Sequence, residues 1–188
     1  MSKLNGLHPC CGPIYLKEDE YFTWINVDIQ SCFRTDICCD VLELEKHIKS
    51  ESVDFIWCCH GLEHLDYPKQ AIDFLKVCFT LLKKDGIMRV AVPDLELVAG
   101  YYLKRDVMLR KMYGDGTFYY LFDNYGERFN YFLKEWSHKI TYDCQMLCDI
   151  FQYAGFKIYG KKGFNDSIIN VWHNDRLELE SIFFEAGK

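Results

Sequence analysis

The sequence predicts an α/β fold with a mostly parallel sheet, and three observations indicate it. Short apolar runs are continuous rather than alternating, as expected of strands that are buried on both faces. A stretch with helical spacing of its apolar residues separates two of these runs. Glycines or acidic residues follow several runs, at positions where the strand ends of such a sheet meet. The length of 188 residues suits about one domain, so we interpret residues 1–188 as a single domain.

The first half of the chain contains five predicted strands and one predicted helix. The strands cover residues 4–9, 22–29, 36–42, 53–59 and 87–92. The helix covers residues 65–82, where apolar residues recur at intervals of three and four. Two lysines and Gly86 follow it, which is typical of a helix C-terminus with cations in the last turn and a glycine stop.

The second half begins with an aromatic-rich segment, residues 95–140, which is predicted to form short helices inserted into the sheet domain as a substrate cap. Its aromatic residues include Tyr101, Tyr102, Tyr113, Phe118, Tyr119, Tyr120, Phe122, Tyr125, Phe129, Tyr131, Phe132 and Trp136. A helix follows, with Thr141 as the predicted N-cap and Asp143 in the first turn. The last two predicted strands cover residues 156–159 and 179–185.

The composition excludes several classes of protein. A hydrophobic content of 49% and a charged content of 27% are ordinary for a globular domain. The net charge of −6 argues against sequence-independent binding to the phosphate backbone of nucleic acids, so no nucleic-acid partner is expected. Since no apolar run approaches the ~20 residues that span a bilayer, no membrane insertion is expected.

Ten cysteines raise the question of a disulfide scaffold. The N-terminal residues have no apolar signal-peptide region, and no two cysteines have the Cys-x-x-Cys spacing of zinc ribbons or thioredoxins. Adjacent cysteine pairs stand at the ends of apolar runs, where thiols act as small buried hydrophobic groups. We therefore interpret them as reduced thiols of a cytoplasmic protein.

Polar residues after the first three strands suit a nucleoside-containing ligand. Gly12 follows the first strand, where a glycine lets the backbone approach a ligand closely. Asp28 ends the second strand, where a carboxylate can accept both hydrogens of a ribose diol. Asp40, near the third strand, can accept a hydrogen bond from an adenine amino group. In a parallel sheet these strand ends converge on one ligand.

Six short motifs in a fixed order resemble those of the class I S-adenosylmethionine-dependent methyltransferases. They occupy residues 7–12, 24–29, 53–56, 60–64, 81–86 and 92–96. The chain is most similar to small methyltransferases that are often associated with surface-glycan genes, and the likeness covers nearly the whole chain. The resemblance implies a Rossmann-like, doubly wound, mostly parallel sheet of seven strands with a helical, aromatic-rich insert. It also implies S-adenosylmethionine as the cofactor.

The resemblance implies a set of cofactor-binding residues. They are Cys10, Cys11 and Gly12 at the methionine portion, Asp28 with its neighbour Ile29 at the ribose, Asp40 and Val41 at the adenine, and Cys59 and His60 beside the sulfonium.

Two departures from the family pattern concern activity. Cys10 stands where the family usually has glycine, and Pro13 follows the turn, so a side chain restricts the backbone and crowds the cofactor's carboxypropyl arm. Asp85 replaces the usual proline in the later loop. These departures leave open an alternative function, a non-catalytic relative of the methyltransferase fold.

A different alternative comes from His60, Glu63 and His64, whose spacing matches the inverted zinc-peptidase motif. A zinc hydrolase needs both histidines on one helical face and a third ligand downstream. Gly61 directly follows a predicted strand, so the motif lies at a strand-to-helix junction, and no residue stands out as the third ligand. We therefore predict no metal.

The predicted reaction is methyl transfer to a small-molecule or carbohydrate acceptor at an oxygen atom. An oxygen acceptor must lose its proton as it attacks, which a histidine or a carboxylate can bring about. Asp94 at the end of the fifth strand, His64 and His138 are the candidate catalytic residues. The aromatic insert can be core, a substrate lid, or both.

Overall fold

A computed structural model describes residues 2–111 and 124–188 and contains one seven-stranded sheet. The strands are β1 Leu4–Pro9, β2 Phe22–Asp28, β3 Ile37–Cys38, β4 Val53–Cys59, β5 Leu82–Pro93, β6 Lys157–Lys162 and β7 Ser181–Gly187. Their order is β3-β2-β1-β4-β5-β7-β6. The first five strands run parallel, and β7 is antiparallel to both of its neighbours. The predicted seven-stranded, mostly parallel α/β fold is confirmed.

The helices connect and cover these strands. They are α1 Lys69–Leu81, α2 Leu95–Lys104, α3 Met108–Lys111, α4 Tyr125–Lys134 and α5 Cys144–Tyr153. Short 3₁₀ helices cover Val41–Lys46, Leu62–His64 and Glu135–Ser137. None of the helices in the described ranges has the length and apolarity to cross a membrane.

Three predicted boundaries are wrong for local reasons. The third strand keeps only Ile37–Cys38, because Asp40 caps a 3₁₀ helix by accepting a hydrogen bond from the Leu42 N–H. The N-cap of α5 is Asp143, which accepts from the Met146 N–H at 2.7 Å, and not Thr141. The lysine-rich stretch after α1 belongs to β5, which begins at Leu82 and shifts its register against β4 near Val53.

The two faces of the sheet are covered differently. Along β4, Ile56 and Cys58 face a large core shared with α1, α5 and the 3₁₀ helix Val41–Lys46. The alternate residues Phe55 and Trp57 face a second, aromatic core that contains Trp172. Helices thus cover the first face, whereas the irregular segment around Trp172 contributes to covering the other.

A buried ionic cluster ties that irregular segment to the sheet. Arg89 of β5 is 0% exposed and uses all five of its N–H donors. They reach both oxygens of Asp175, one oxygen of Glu185, and the backbone carbonyls of Gly163 and Asp166. Buried charges are tolerated when they are paired and hydrogen-bonded in this way, so the cluster fixes the position of the segment.

The described part of the aromatic insert forms a small core of its own. Val98, Leu109 and Phe132 are fully buried, and the Tyr102 and Phe129 rings stack with centroids 4.9 Å apart. The predicted insert residues Tyr113, Phe118, Tyr119, Tyr120 and Phe122 lie outside the described residues. The described rings therefore act mainly in packing.

Candidate functional site

A cavity of about 520 Å³ lies at the carboxyl ends of β1, β2 and β4. Seven of the residues predicted to bind the cofactor line it: Cys10, Gly12, Asp28, Ile29, Asp40, Val41 and His60. The volume falls within the range of roughly 300–1,000 Å³ that is usual for small-molecule sites. The topology thus brings together residues that come from four separate segments of the chain.

Two predicted cofactor residues do not line this cavity. Cys11 is 2% exposed, and its N–H donates to the Val27 carbonyl at 3.0 Å. Cys59 is 6% exposed and packs in the aromatic core. Burial raises the pKa of each of these thiols to about 12, so both are neutral side chains of the cavity's supporting wall.

Asp28 is the most constrained acidic residue of the cavity. Its Oδ2 accepts from the Gly12 N–H at 2.9 Å, and its Oδ1 accepts from the Gln30 N–H at 2.9 Å. A carboxylate has about four lone-pair sites, so both oxygens keep the capacity to accept from a ligand hydroxyl. Asp28 therefore holds the turn after β1 in place and keeps acceptor capacity.

The turn after β1 is strained at a residue with a side chain. Cys10 has φ 55° and Gly12 has φ 53°, both in the left-handed region that favours glycine. Cys10 also lies so close to Gly61 that a Cβ on Gly61 would meet the Cys10 Cβ at 2.6 Å. Residues 10–21 are irregular, so no helix N-terminus points at the cavity from this turn.

Asp40 lies at the far side of the cavity. It is exposed, and its Oδ1 accepts from the Leu42 N–H at 2.9 Å as the cap of the 3₁₀ helix. The neighbouring Val41 is buried and packs into the main core. The carboxylate is thus held at the cavity by the local turn while the chain is anchored beneath it.

His60 is the polar residue at the end of β4, and both of its ring nitrogens have neighbours. Its Nε2 lies 2.8 Å from the Ser181 hydroxyl, and its Nδ1 lies 3.2 Å from Oε1 of Glu63. Burial by itself would lower the pKa of His60, but the Glu63 carboxylate outweighs it and the pKa is raised. Burial likewise would raise the pKa of Glu63, yet His60 holds that pKa below its usual value. The two form a buried ion pair.

Glu63 also brings His64 and His138 together. A carboxylate oxygen of Glu63 and one ring nitrogen from each histidine all lie within 4.8 Å of one another. The centroids of the two imidazole rings are 5.2 Å apart. Burial lowers the pKa of His138, with Glu63 opposing the shift in part. His64 lines the cavity, and His138 lies between the lining residues Ser137 and Lys139.

Asp94, the third candidate catalytic residue, does not line this cavity. It is 2% exposed, and its oxygens accept from the Leu97 N–H at 3.0 Å and from the Lys161 ammonium at 2.9 Å. Together with Ser181 it lines a second cavity of about 400 Å³. The His60–Ser181 contact therefore lies between the two cavities.

Several lining residues are not among those predicted to form the site. Gln70, Trp136, Ser137 and Lys139 line the cavity, although no motif includes them. Glu63 can be recognised in the sequence, since it belongs to the Leu-Glu-His motif. Its contact with His138 cannot, because the two residues come from chain segments that are far apart in sequence. Only the aromatic character of the insert pointed to Trp136.

Comparisons with known proteins identify related sequences and folds. A family model described as a methyltransferase domain matches residues 22–90, which include Asp28, Asp40 and His60. No curated protein matches the sequence significantly.

Solved structures match the whole fold. A methyltransferase dependent on S-adenosylmethionine from Archaeoglobus fulgidus is 16% identical, with 100% of this chain and 87% of that chain covered and a TM-score of 0.60. A second such methyltransferase, from Mesorhizobium loti, is 13% identical, with 98% of this chain and 91% of that chain covered and a TM-score of 0.59.

A third structure is a putative methyltransferase from Haloferax volcanii in complex with the methyltransferase activator Trm112. It is 13% identical, with 98% of this chain and 81% of that chain covered and a TM-score of 0.60. At these identities the structural likeness establishes the fold. The matched domain and the fold together indicate an S-adenosylmethionine-dependent methyltransferase, with S-adenosylmethionine as its cofactor.

Proposed function

We propose that this enzyme methylates a small-molecule or carbohydrate acceptor at an oxygen atom. The observation that carries the proposal is the cavity of about 520 Å³ at the carboxyl ends of β1, β2 and β4. Ligands of open α/β sheets bind at such strand ends. The acceptor hydroxyl loses its proton to a nearby base or to water, its oxygen bonds to the methyl carbon, and the electron pair of the broken carbon–sulfur bond stays on sulfur, which leaves S-adenosylhomocysteine.

The cofactor extends along the cavity in the order of the strands. Asp28 accepts hydrogen bonds from the ribose hydroxyls, and Asp40 accepts one from the adenine amino group. The turn at Cys10 and Gly12 contacts the methionine portion, and His60 lies beside the sulfonium. The support for this order is that all five residues line one cavity, and that the sheet order β3-β2-β1-β4 puts Asp40, Asp28, the turn at Cys10 and Gly12, and His60 in succession.

The acceptor lies on the side of the cavity near His64 and the segment that carries His138. Of the three candidate catalytic residues, His64 lines the cavity directly, and His138 adjoins it. Asp94 already accepts from Lys161 and a backbone N–H, so its role is to line the adjacent cavity on the acceptor side. The enzyme's main contribution is to align the acceptor and keep water away.

A carbohydrate acceptor is supported by Trp136. Its side chain is 67% exposed and still lines the cavity, unlike the insert's packed rings. An exposed indole offers a flat apolar face and an N–H donor, which suits a sugar ring. We also propose a cytoplasmic location, which the free thiols of the cysteines support.

The second candidate function is a non-catalytic fold relative, and Cys10 is the observation that favours it. Its side chain lines the cavity in a left-handed conformation where the cofactor's carboxypropyl arm is expected. A protein of this kind either does not bind S-adenosylmethionine or binds it and transfers no methyl group to any hydroxyl acceptor.

Titration calorimetry with S-adenosylmethionine and S-adenosylhomocysteine tests the proposal. The wild-type protein is expected to bind both, and Asp28→Ala is expected to weaken binding by about 1–3 kcal/mol through two lost hydrogen bonds. Asp73→Ala, on the outer surface of α1, is the matched control and is expected to bind normally. Absence of binding at millimolar cofactor contradicts the function, and unchanged affinity in Asp28→Ala contradicts the ribose assignment.

Methyl transfer itself is measured with labelled S-adenosylmethionine against hydroxylated small molecules and sugars. Labelled product with an ether-linked methyl group supports oxygen transfer. Cofactor binding without any transfer supports the non-catalytic alternative.

A further inference from the structure

We propose that Glu63, His64 and His138 form a binding site for one divalent transition-metal ion of the zinc class at the edge of the cofactor cavity. One carboxylate oxygen and one ring nitrogen from each histidine lie within 4.8 Å of one another. A tetrahedral zinc ion holds its ligand atoms roughly 3.3 Å apart, so modest side-chain rotations close the site.

The buried carboxylate of Glu63 points independently to a ligand. The side chain is 0% exposed, and neither of its oxygens makes a hydrogen bond within the described parts of the chain. The His60 Nδ1 lies 3.2 Å from Oε1, whereas Oε2 has no hydrogen-bond partner in the described chain. A buried carboxylate is normally hydrogen-bonded, paired or bound to a metal.

The two histidines supply the remaining ligands. His138 is almost buried, with a side chain that is 5% exposed, and its Nε2 lies 3.9 Å from Oε1 of Glu63. His64 approaches the same carboxylate from the cavity side. Two histidines and one glutamate with a fourth position open form the ligand set of catalytic zinc sites.

Neighbouring groups hold these ligands in position. The His60 ring lies between the Ser181 hydroxyl, 2.8 Å from Nε2, and Oε1 of Glu63, 3.2 Å from Nδ1. The Lys139 N–H donates to the Glu63 carbonyl at 2.9 Å, which ties the segment that carries His138 to the Leu62–His64 turn. Such surrounding contacts orient metal ligands and typically raise affinity.

This site differs from the zinc-hydrolase motif that the sequence contains. That motif needs His60 and His64 as ligands and Glu63 as the base. Here His60 positions the carboxylate, Glu63 is a ligand, and His138 from a distant segment completes the set. The site therefore does not support the zinc-hydrolase alternative.

The fourth position opens toward the cavity, because His64, Ser137 and Lys139 all line it. The role of the ion in catalysis rests on the proposed function. An ion held by Glu63, His64 and His138 would act as a Lewis acid and would lower the pKa of an acceptor hydroxyl beside it, so that the proton could pass to water as the oxygen attacks the methyl carbon. The electron pair of the broken carbon–sulfur bond would stay on sulfur.

Cobalt(II) titration of chelator-treated, full-length protein tests the site, followed by visible absorption and displacement with zinc(II). We expect one ion per chain, with the weak bands of nitrogen and oxygen ligands and without intense thiolate charge-transfer bands. The distinction matters because the chain has ten cysteines. His138→Ala, His64→Ala and Glu63→Gln are each expected to lower the affinity by at least about 100-fold, and His60→Ala by about 10–100-fold.

His173→Ala and His47→Ala, both at exposed positions, are the matched controls and are expected to bind cobalt(II) as the wild type does. Circular dichroism identifies any variant that fails to fold, and the cobalt(II) affinities of the folded variants then test the metal site. Binding that persists in His138→Ala and His64→Ala, thiolate bands, or no bound ion in the wild type each overturn the proposal. Cofactor calorimetry on the same samples separates the two hypotheses: cofactor binding without metal refutes the metal site alone, and metal binding without cofactor refutes the proposed function alone.

Discussion

Two buried ionic clusters in this molecule differ in how completely their polar atoms are paired. Around Arg89, all five guanidinium donors reach acceptors, and Asp175 accepts further from Trp172 and Asn165. Around Glu63, a carboxylate that is equally buried has an ion-pair neighbour but no hydrogen bond of normal geometry within the described chain. The first cluster lies within the packed sheet, and the second lies at the cavity.

The difference separates a structural role from a binding role. A paired buried charge fixes the conformation of the segments that contribute to it, and further ligands would disrupt it. An incompletely paired one keeps the capacity to bind a ligand. We expect substitutions in the first cluster to affect mainly stability and those in the second mainly binding.

The largest expected effect is that of Arg89→Met. It leaves the Asp175 and Glu185 carboxylates buried without their cation, and removal of one partner from a buried pair costs about 3–5 kcal/mol. Urea unfolding measures the loss. Lys3→Met, which removes the exposed Lys3–Glu18 pair, is the control and is expected to cost less than about 1 kcal/mol. Equal effects of the two substitutions would contradict the structural role of the Arg89 cluster.

The next effect is a pH dependence of stability caused by His8, another buried group with an unpaired atom in the described chain. Burial lowers the pKa of His8 to about 4, and its Nε2 has no partner there. Because the unfolded chain binds a proton below about pH 6.5 and the native state does not, stability is complete above that pH. Between about pH 6.5 and 4 it falls by up to about 3 kcal/mol.

Unfolding free energies at both ends of this window, for the wild type and for His8→Gln, provide the measurement. Glutamine keeps a polar group near Asn26, to which the His8 ring is bound at 3.3 Å, but does not titrate. The unfolding free energy of the variant is expected to lose most of its pH dependence. If the pH dependence is unchanged, other titratable groups cause it.

A smaller change in stability is expected for Glu63→Gln. The substitution keeps the shape of the side chain and removes only the ion pair with His60, so it is expected to cost about 1–2 kcal/mol. Chemical unfolding of this variant beside Arg89→Met compares the two clusters directly. A loss as large as that of Arg89→Met would show that Glu63 is mainly structural.

The smallest effect concerns backbone strain at Cys10. Cys10→Gly relieves a left-handed residue, whereas Cys10→Ala removes the same thiol and keeps the strain. The glycine variant is expected to be more stable than the alanine variant by about 1 kcal/mol. It is also expected to bind S-adenosylmethionine more tightly. Identical stability of the two variants in thermal unfolding would mean that the turn carries no strain.

Much of the fold and part of the site could be predicted from local patterns. The apolar runs of β1, β4 and β5 and the helical spacing of α1 are short-range signals. Asp28 and Gly12 are recognisable because each stands at the end of a predicted strand. The boundaries near Asp40 and Thr141 were wrong, because competing hydrogen-bond caps, and not hydrophobic spacing, decide where those elements begin.

The remaining site residues depend on contacts between distant segments. His138 lies 75 residues beyond Glu63 in the chain, and nothing in the sequence around His138 predicts that the two side chains approach each other. Trp136 and Lys139 reach the cavity only because the segment that follows α4 lies beside the Leu62–His64 turn.

The sequence by itself determined the class of sheet, the order of its ligand-facing turns and the position of Asp28, because periodicity and strand-end chemistry are local. The tertiary structure alone decided that His60 pairs with Glu63, that His138 joins His64, and that the Arg89 cluster is fully bonded. The physical reason is that pairing of buried charges depends on distance in space, and residues far apart in sequence meet only once the sheet has formed.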